Sequence, residues 1–130
     1  MKIYCDTNVY IDLFEARKDR FRDLGEFALS VFVKVRNAEH VLVVSDWLET
    51  ELEKFGHKGN FRELIADLNP EWVVAGQKDR NAARKLSSNF PDALHVMLAV
   101  KAGASCLVTR DVQDFAEFQD LILIAFPESL

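Results

Sequence analysis

Carboxylates stand at the ends of several short apolar runs in this chain, and together they could hold a divalent cation. Asp6 directly follows Ile3-Tyr4-Cys5. Ser45-Asp46 follows Val41–Val44, and Glu49, Glu51 and Glu53 lie just beyond. Thr109-Arg110-Asp111 follows Cys106–Val108, with Asp114 three residues later, and Asp92 opens the segment that leads into that run. Clustered carboxylates repel one another and shift each other's pKa unless a cation compensates them. Oxygen-rich donor sets are what Mg²⁺ and Mn²⁺ select. Each acid also has a plain structural reading. Asp6 and Asp46 could be helix N-caps, Asp92 a first-turn acid, Asp111 a turn residue and the glutamates a solvated helix face. Spacing alone does not choose among Glu49, Glu51 and Glu53.

The elements that must position these acids can be read from the apolar pattern. Ile3–Cys5, Val41–Val44, Cys106–Val108 and Leu121–Ile124 are short runs rich in β-branched residues, and Trp72–Val74 is a weaker fifth. Such runs, nearly continuous in apolar residues, are expected of strands buried on both faces. Helical stretches lie between them at Phe21–Arg36, Trp47–Phe55, Phe61–Leu68, Asn81–Ser87 and Ala93–Ala102. In the first of these, Leu24, Phe27, Ala28, Val31 and Val35 recur at three- and four-residue spacing, Lys34 and Arg36 suit the helix end, and Asn37 is a stop. Pro91 suits a first helical turn and Gly103 a C′ position. Only Val9, Ile11, Leu13 and Phe14 mix strand and helix character. Strands alternating with helices imply an α/β domain over residues 1–130, with a central parallel sheet of about five strands flanked by helices on both faces. Ligands of such sheets bind beyond the carboxyl ends of the strands, where the acids stand.

The formal charge of −5, from 16 basic and 21 acidic residues, argues against a broad phosphate-binding surface. It does not exclude nucleic acid if the excess acids gather around metal. No apolar run is long enough to cross a bilayer and the N-terminus lacks a signal-peptide pattern, so a cytoplasmic protein with no membrane partner is expected. Cys5 and Cys106 lie in apolar runs and are expected to be reduced, buried and on adjacent strands. No glycine-rich loop follows the first strand, which excludes a P-loop nucleotide enzyme. An aspartyl phosphatase or phosphate receiver usually wants a second aspartate two residues after the first, and Asn8 stands there.

The stretches "YCDTNVYIDLF", "VVSDWLETELEKFG" and "FPDALHVMLAVKAGASCLVTRDVQDF", with the tail "LILIAFPESL", resemble in order and spacing the PIN-domain proteins, most of all the VapC-type ribonuclease toxins. Residues 56–88 are the least informative. The resemblance implies a single PIN-like domain and assigns Asp6, Glu51, Asp92 and Asp111 as catalytic acids and metal ligands. Asp114 is the better candidate where family members carry Asn at the position of Asp111, and here it is kept as a supporting acid. Thr7, Asn8 and Thr109 match polar positions that orient carboxylates or a ligand water. The activity so implied is Mg²⁺- or Mn²⁺-dependent endoribonucleolytic hydrolysis of single-stranded RNA, by the toxin of a toxin–antitoxin pair. Its partners would be a small antitoxin and a second copy in a homodimer. The alternative is a catalytically inactive PIN-like RNA- or protein-binding module. Arg110, Arg84 and Lys85 are the candidate RNA contacts, with a surface ion pair or a solvated face as the competing readings, and Lys78 and Arg80 extend the same basic stretch. The run Arg17, Lys18, Arg20 and Arg22 falls where antitoxin-facing helices begin in the family. His95, three residues after Asp92, is expected chiefly to pack the helix, and His40 and His57 to lie on the surface or in loops.

Overall fold

The apolar runs become one five-stranded, all-parallel sheet in the computed structural model, which describes residues 1–130. The strands are β1 (Lys2–Cys5), β2 (Val41–Ser45), β3 (Glu71–Val73), β4 (Cys106–Val108) and β5 (Leu123–Ala125), in the order β3-β2-β1-β4-β5. The helices are α1 (Thr7–Phe14), α2 (Leu24–Arg36), α3 (Asp46–Lys54), α4 (Lys58–Ala66), α5 (Gln77–Leu86) and α6 (Phe90–Lys101). Short 3₁₀ segments follow β4 (Val112–Phe118) and β5 (Pro127–Ser129). Successive residues of a strand point to opposite faces, and Ile3, Tyr4 and Cys5 are all fully buried. Helices therefore cover β1 on both faces. From β1 the chain builds outward through β2 and β3, then crosses to build β4 and β5 on the other side. The switch in strand order thus lies between β1 and β4, where Tyr4 pairs with Leu107 and Cys5 with Val108.

Boundaries moved where hydrogen-bonding side chains or turns competed with the apolar pattern. α2 starts at Leu24 rather than Phe21, because Asp19 captures the amides of Phe21 and Arg22 while Asp23 caps the helix at Glu26 N–H. α5 starts earlier than expected, at Gln77, where the Asp79 carboxylate folds back onto Gly76 N–H at 2.8 Å. The last strand starts at Leu123, since the amides of Leu121 and Ile122 both turn back to Phe118 O. The ambiguous run after Asp6 is helix, with Val9, Tyr10 and Ile11 in the core. Gly103 follows α6 at φ 75°, a conformation in which a Cβ would be strained. Cys5 and Cys106 are free, buried and on the neighbouring strands β1 and β4, as expected. No helix is long and apolar enough to cross a membrane.

Candidate functional site

The carboxyl ends of β1, β2 and β4 deliver the acids to one pocket of about 260 Å³. Asp6, Glu51, Asp92, Asp111 and Asp114 all line it, with Thr7, Asn8 and Arg110 between them and Ile11, Phe55 and Phe115 as apolar wall. Asp6 ends β1 and caps α1. Its Oδ1 accepts Thr7 N–H at 2.7 Å and its Oδ2 accepts the Thr109 hydroxyl at 3.2 Å. The cap and the pocket acid are thus the same residue. Glu51 is the one α3 glutamate that reaches the pocket. Its Oε1 accepts the Thr7 hydroxyl and lies 2.5 Å from His95 Nε2. Glu49 is instead paired with Arg62, and Glu53 lies 3.9 Å from Lys58. Asp92, in the first turn of α6, accepts Asn89 Nδ2–H at 2.8 Å, and Asp111 accepts Asn8 Nδ2–H at 3.1 Å. Thr109 completes the lattice, its hydroxyl oxygen accepting from Asn8 at 3.2 Å and from Asp111 N–H at 3.1 Å.

One acid takes a different place from that read in the sequence. Asp46 is not an N-cap. β2 runs extended through Ser45, whose hydroxyl accepts Leu48 N–H, so Ser45 caps α3. Asp46 then falls in the first turn and accepts Ala75 N–H at 2.9 Å, tying α3 to the loop after β3.

The donors that hold the four acids are hydroxyls, amides and an imidazole, not lysines. Arg110 is the single basic side chain lining the pocket, and its Nε is engaged by the buried Asp12 carboxylate at 2.8 Å, with Asp111 3.6 Å from its other end. Burial pushes the Asp6 carboxyl up to about 6, with the nearby Asp92 and Glu51 charges adding and His95 opposing. Burial also raises Asp92 above the usual carboxylate range, against the hydrogen bond from Asn89. On Glu51 burial acts the same way, but the hydrogen bond and charge of His95 outweigh it and hold the carboxyl below its ordinary value. His95 mirrors this. Burial disfavours its cation, yet Glu51, Asp6 and Asp92 lift it above an ordinary histidine.

No three His, Cys, Asp or Glu side chains close on a single coordination point as they stand. The pocket is nevertheless open, acidic and built of hard oxygen donors. Mg²⁺ and Mn²⁺ fit such a donor set, because Mg²⁺ usually keeps several waters and takes only one or two protein carboxylates.

Arg84 and Lys85 stand outside the pocket, Arg84 lying over the Phe90 ring at 5.0 Å, while Arg80 covers Trp47 at 5.9 Å. Arg17, Lys18 and Arg22 are each in a local ion pair with a neighbouring acid, and Arg20 lies over Phe21. Sequence reasoning undervalued His95. It is fully buried, but it touches Glu51 and lies 3.7 Å from Asp6, so packing is not its whole role. Its spacing from Asp92 was the available signal. Asp12 was missed altogether, and its signal is an acid inside the apolar run "VYIDLF". A larger cavity of about 370 Å³ lies between α2 and α4. Phe14, Leu29, Phe32, Val33, Leu64 and Leu68 line it, and none of the acids described above does.

A doubly wound parallel sheet with a carboxylate-lined pocket at its switch point defines a class of α/β protein. No protein-family model matches the chain, and no curated protein matches it by sequence. Solved structures do. The chain superposes with a TM-score of 0.65 on a chain of FitAB bound to an IR36 DNA fragment, at 13% identity, covering 98% of this chain and 96% of that one. It superposes with a TM-score of 0.59 on a chain of a toxin–antitoxin complex from Klebsiella pneumoniae, at 18% identity, covering 96% and 97%. At such identities the likeness is one of fold, and the fold is the PIN-like α/β arrangement expected from the sequence.

Proposed function

We propose that this chain is a Mg²⁺- or Mn²⁺-dependent endoribonuclease acting on single-stranded RNA, and the VapC-like toxin of a toxin–antitoxin pair. The observation that carries the reading is the convergence of five acids from four segments on one pocket whose only basic side chain is already paired. The antitoxin partner and the dimeric state are what the sequence resemblance implies, and the Klebsiella pneumoniae neighbour, itself a toxin–antitoxin complex, supports the partner.

Asp6, Glu51, Asp92 and Asp111 would hold the ion, directly or through its waters, with Asp114 at the rim. When bound, a divalent ion lowers the pKa of an attacking water and neutralises charge on the phosphoryl oxygens. The protein's part is placement. Thr7 and Thr109 fix the Asp6 carboxylate from both sides, Asn89 turns Asp92 inward, and Asn8 sets Asp111 against Thr109. Arg110 lines the pocket and would meet an RNA phosphate only by sharing a guanidinium already held by Asp12 and Asp111, while Arg84 and Lys85 lie outside and would contact only the flanking strand.

Purified protein incubated with unstructured and duplex RNA, with Mg²⁺, Mn²⁺ or EDTA, tests the reading. Cleavage of the unstructured RNA that EDTA abolishes is the expected result. RNA binding without cleavage under every condition is what the inactive-module alternative expects, and it would replace the nuclease reading.

A further inference from the structure

Behind Glu51 lies a buried chain of hydrogen bonds that leaves α3 and returns to it. Leu48 N–H donates to Ser45 Oγ at 3.1 Å, and Ser45 Oγ lies 2.7 Å from the Tyr4 hydroxyl. The Tyr4 hydroxyl lies 2.7 Å from His95 Nδ1, and His95 Nε2 lies 2.5 Å from Glu51 Oε1. Tyr4, Ser45 and His95 are each fully buried. Next to a carboxylate, Nε2 carries the proton and donates. Nδ1 and the Tyr4 and Ser45 hydroxyls continue the chain behind it, so the far side of the ring is held as well as the side that meets Glu51. Glu51 Oε1 thus receives two protein donors, His95 and the Thr7 hydroxyl, whereas no protein donor reaches Oε2.

We propose that His95 is a positioning residue: backed by Tyr4 and Ser45, it pins Oε1 of Glu51 so that Oε2 alone is presented to the acidic pocket. The proposal rests on the reading of that pocket as a divalent-cation site. A partner behind a ligand fixes its orientation, and loss of such a partner commonly weakens metal binding. Three structural groups, from β1, β2 and α6, therefore determine how an α3 side chain meets the ion. This also gives Tyr4 a reason to carry a hydroxyl between the buried Ile3 and Cys5, where phenylalanine would pack as well.

Mn²⁺ affinity, measured by calorimetry on wild type, His95→Phe, His95→Gln and Tyr4→Phe, tests this alongside thermal unfolding in EDTA. Phe fills the ring volume and donates nothing, whereas the Gln amide can still donate to Glu51. His95→Phe should weaken Mn²⁺ binding about tenfold or more, Tyr4→Phe roughly threefold, and His95→Gln should return to within about threefold of wild type. A folded His95→Phe that binds Mn²⁺ like wild type overturns the proposal. So do Phe and Gln variants that lose affinity equally, since a histidine that merely packs would behave that way. Should His95→Phe fail to fold, Tyr4→Phe decides, and unchanged affinity there overturns the proposal. A wild type that binds no Mn²⁺ overturns the cation-site reading and this proposal with it, whereas tight wild-type binding with indifferent variants overturns the role of His95 alone.

Discussion

Asp6→Asn separates a structural cap from a metal ligand, because Asn caps a helix about as well as Asp. The amide oxygen keeps an acceptor for Thr7 N–H, so the cap survives, while the bond from the Thr109 hydroxyl is lost or exchanged, because that oxygen already accepts from Asn8 and Asp111 N–H. What disappears is a buried charge. A carboxyl held at about 6 instead of 3.8 costs the metal-free fold on the order of 3 kcal/mol once ionised. The sign follows from linkage. Between those values the folded state binds more protons than the unfolded state, so stability falls as pH rises through the window and stays reduced above it. Below about pH 4 both states are protonated and Asp6 contributes no penalty. Denaturant unfolding of both proteins in EDTA across this range should show Asp6→Asn little different at the acid end and more stable above pH 6. Saturating Mn²⁺ should shrink or reverse the gap, since an ion held at one hundred times its dissociation constant stabilises wild type by about 2.7 kcal/mol. RNA cleavage by the variant should be lost throughout. A variant no more stable than wild type at neutral pH in EDTA, or a gap that ignores pH, would refute the reasoning.

Glu51→Gln should abolish Mn²⁺-dependent cleavage while Glu49→Gln and Glu53→Gln leave it near wild type, because only Glu51 lines the pocket; rates on one unstructured RNA check this. Arg110→Met strands the buried Asp12 carboxylate and should cost roughly 3 kcal/mol in denaturant unfolding. Adding Asp12→Leu should recover much of that loss, and a single variant as stable as wild type would show the pair to be idle. Cys5 and Cys106 should react slowly with a thiol reagent in the folded protein and rapidly in denaturant, since both are buried and burial pushes both thiols up. Fast reaction of both in the native state would contradict the strand placement.

Much of this architecture was legible because strands of a covered parallel sheet are nearly continuous apolar runs, and the runs of β1, β2 and β4 each give way at once to a polar residue, Asp6, Ser45 and Thr109. The pocket was legible for the same reason, as Asp6 follows one of those ends directly, Asp111 and Glu51 come shortly after two others, and Asp92 opens the helix leading into β4. Competition for hydrogen bonds was not. Ser45 and Asp46 are both good caps, and only the point at which β2 stops gives the role to Ser45. Nor could helical spacing choose Glu51 over its neighbours, because the choice depends on which face of α3 meets Thr7 and which meets Arg62. His95 shows the limit most clearly. Its separation from Asp92 places it near the site on α6, but whether it packs or participates depends on a tyrosine hydroxyl arriving from β1.

Anomalous diffraction from crystals of the wild-type protein grown with Mn²⁺ locates the ion without reference to activity. A peak in the pocket within coordinating reach of Asp6, Asp92 and Glu51 Oε2, absent from Asp6→Asn crystals grown alike, is the expected result. An empty pocket beside a well-ordered Asp6, at Mn²⁺ concentrations that support cleavage, would contradict the assignment of these acids.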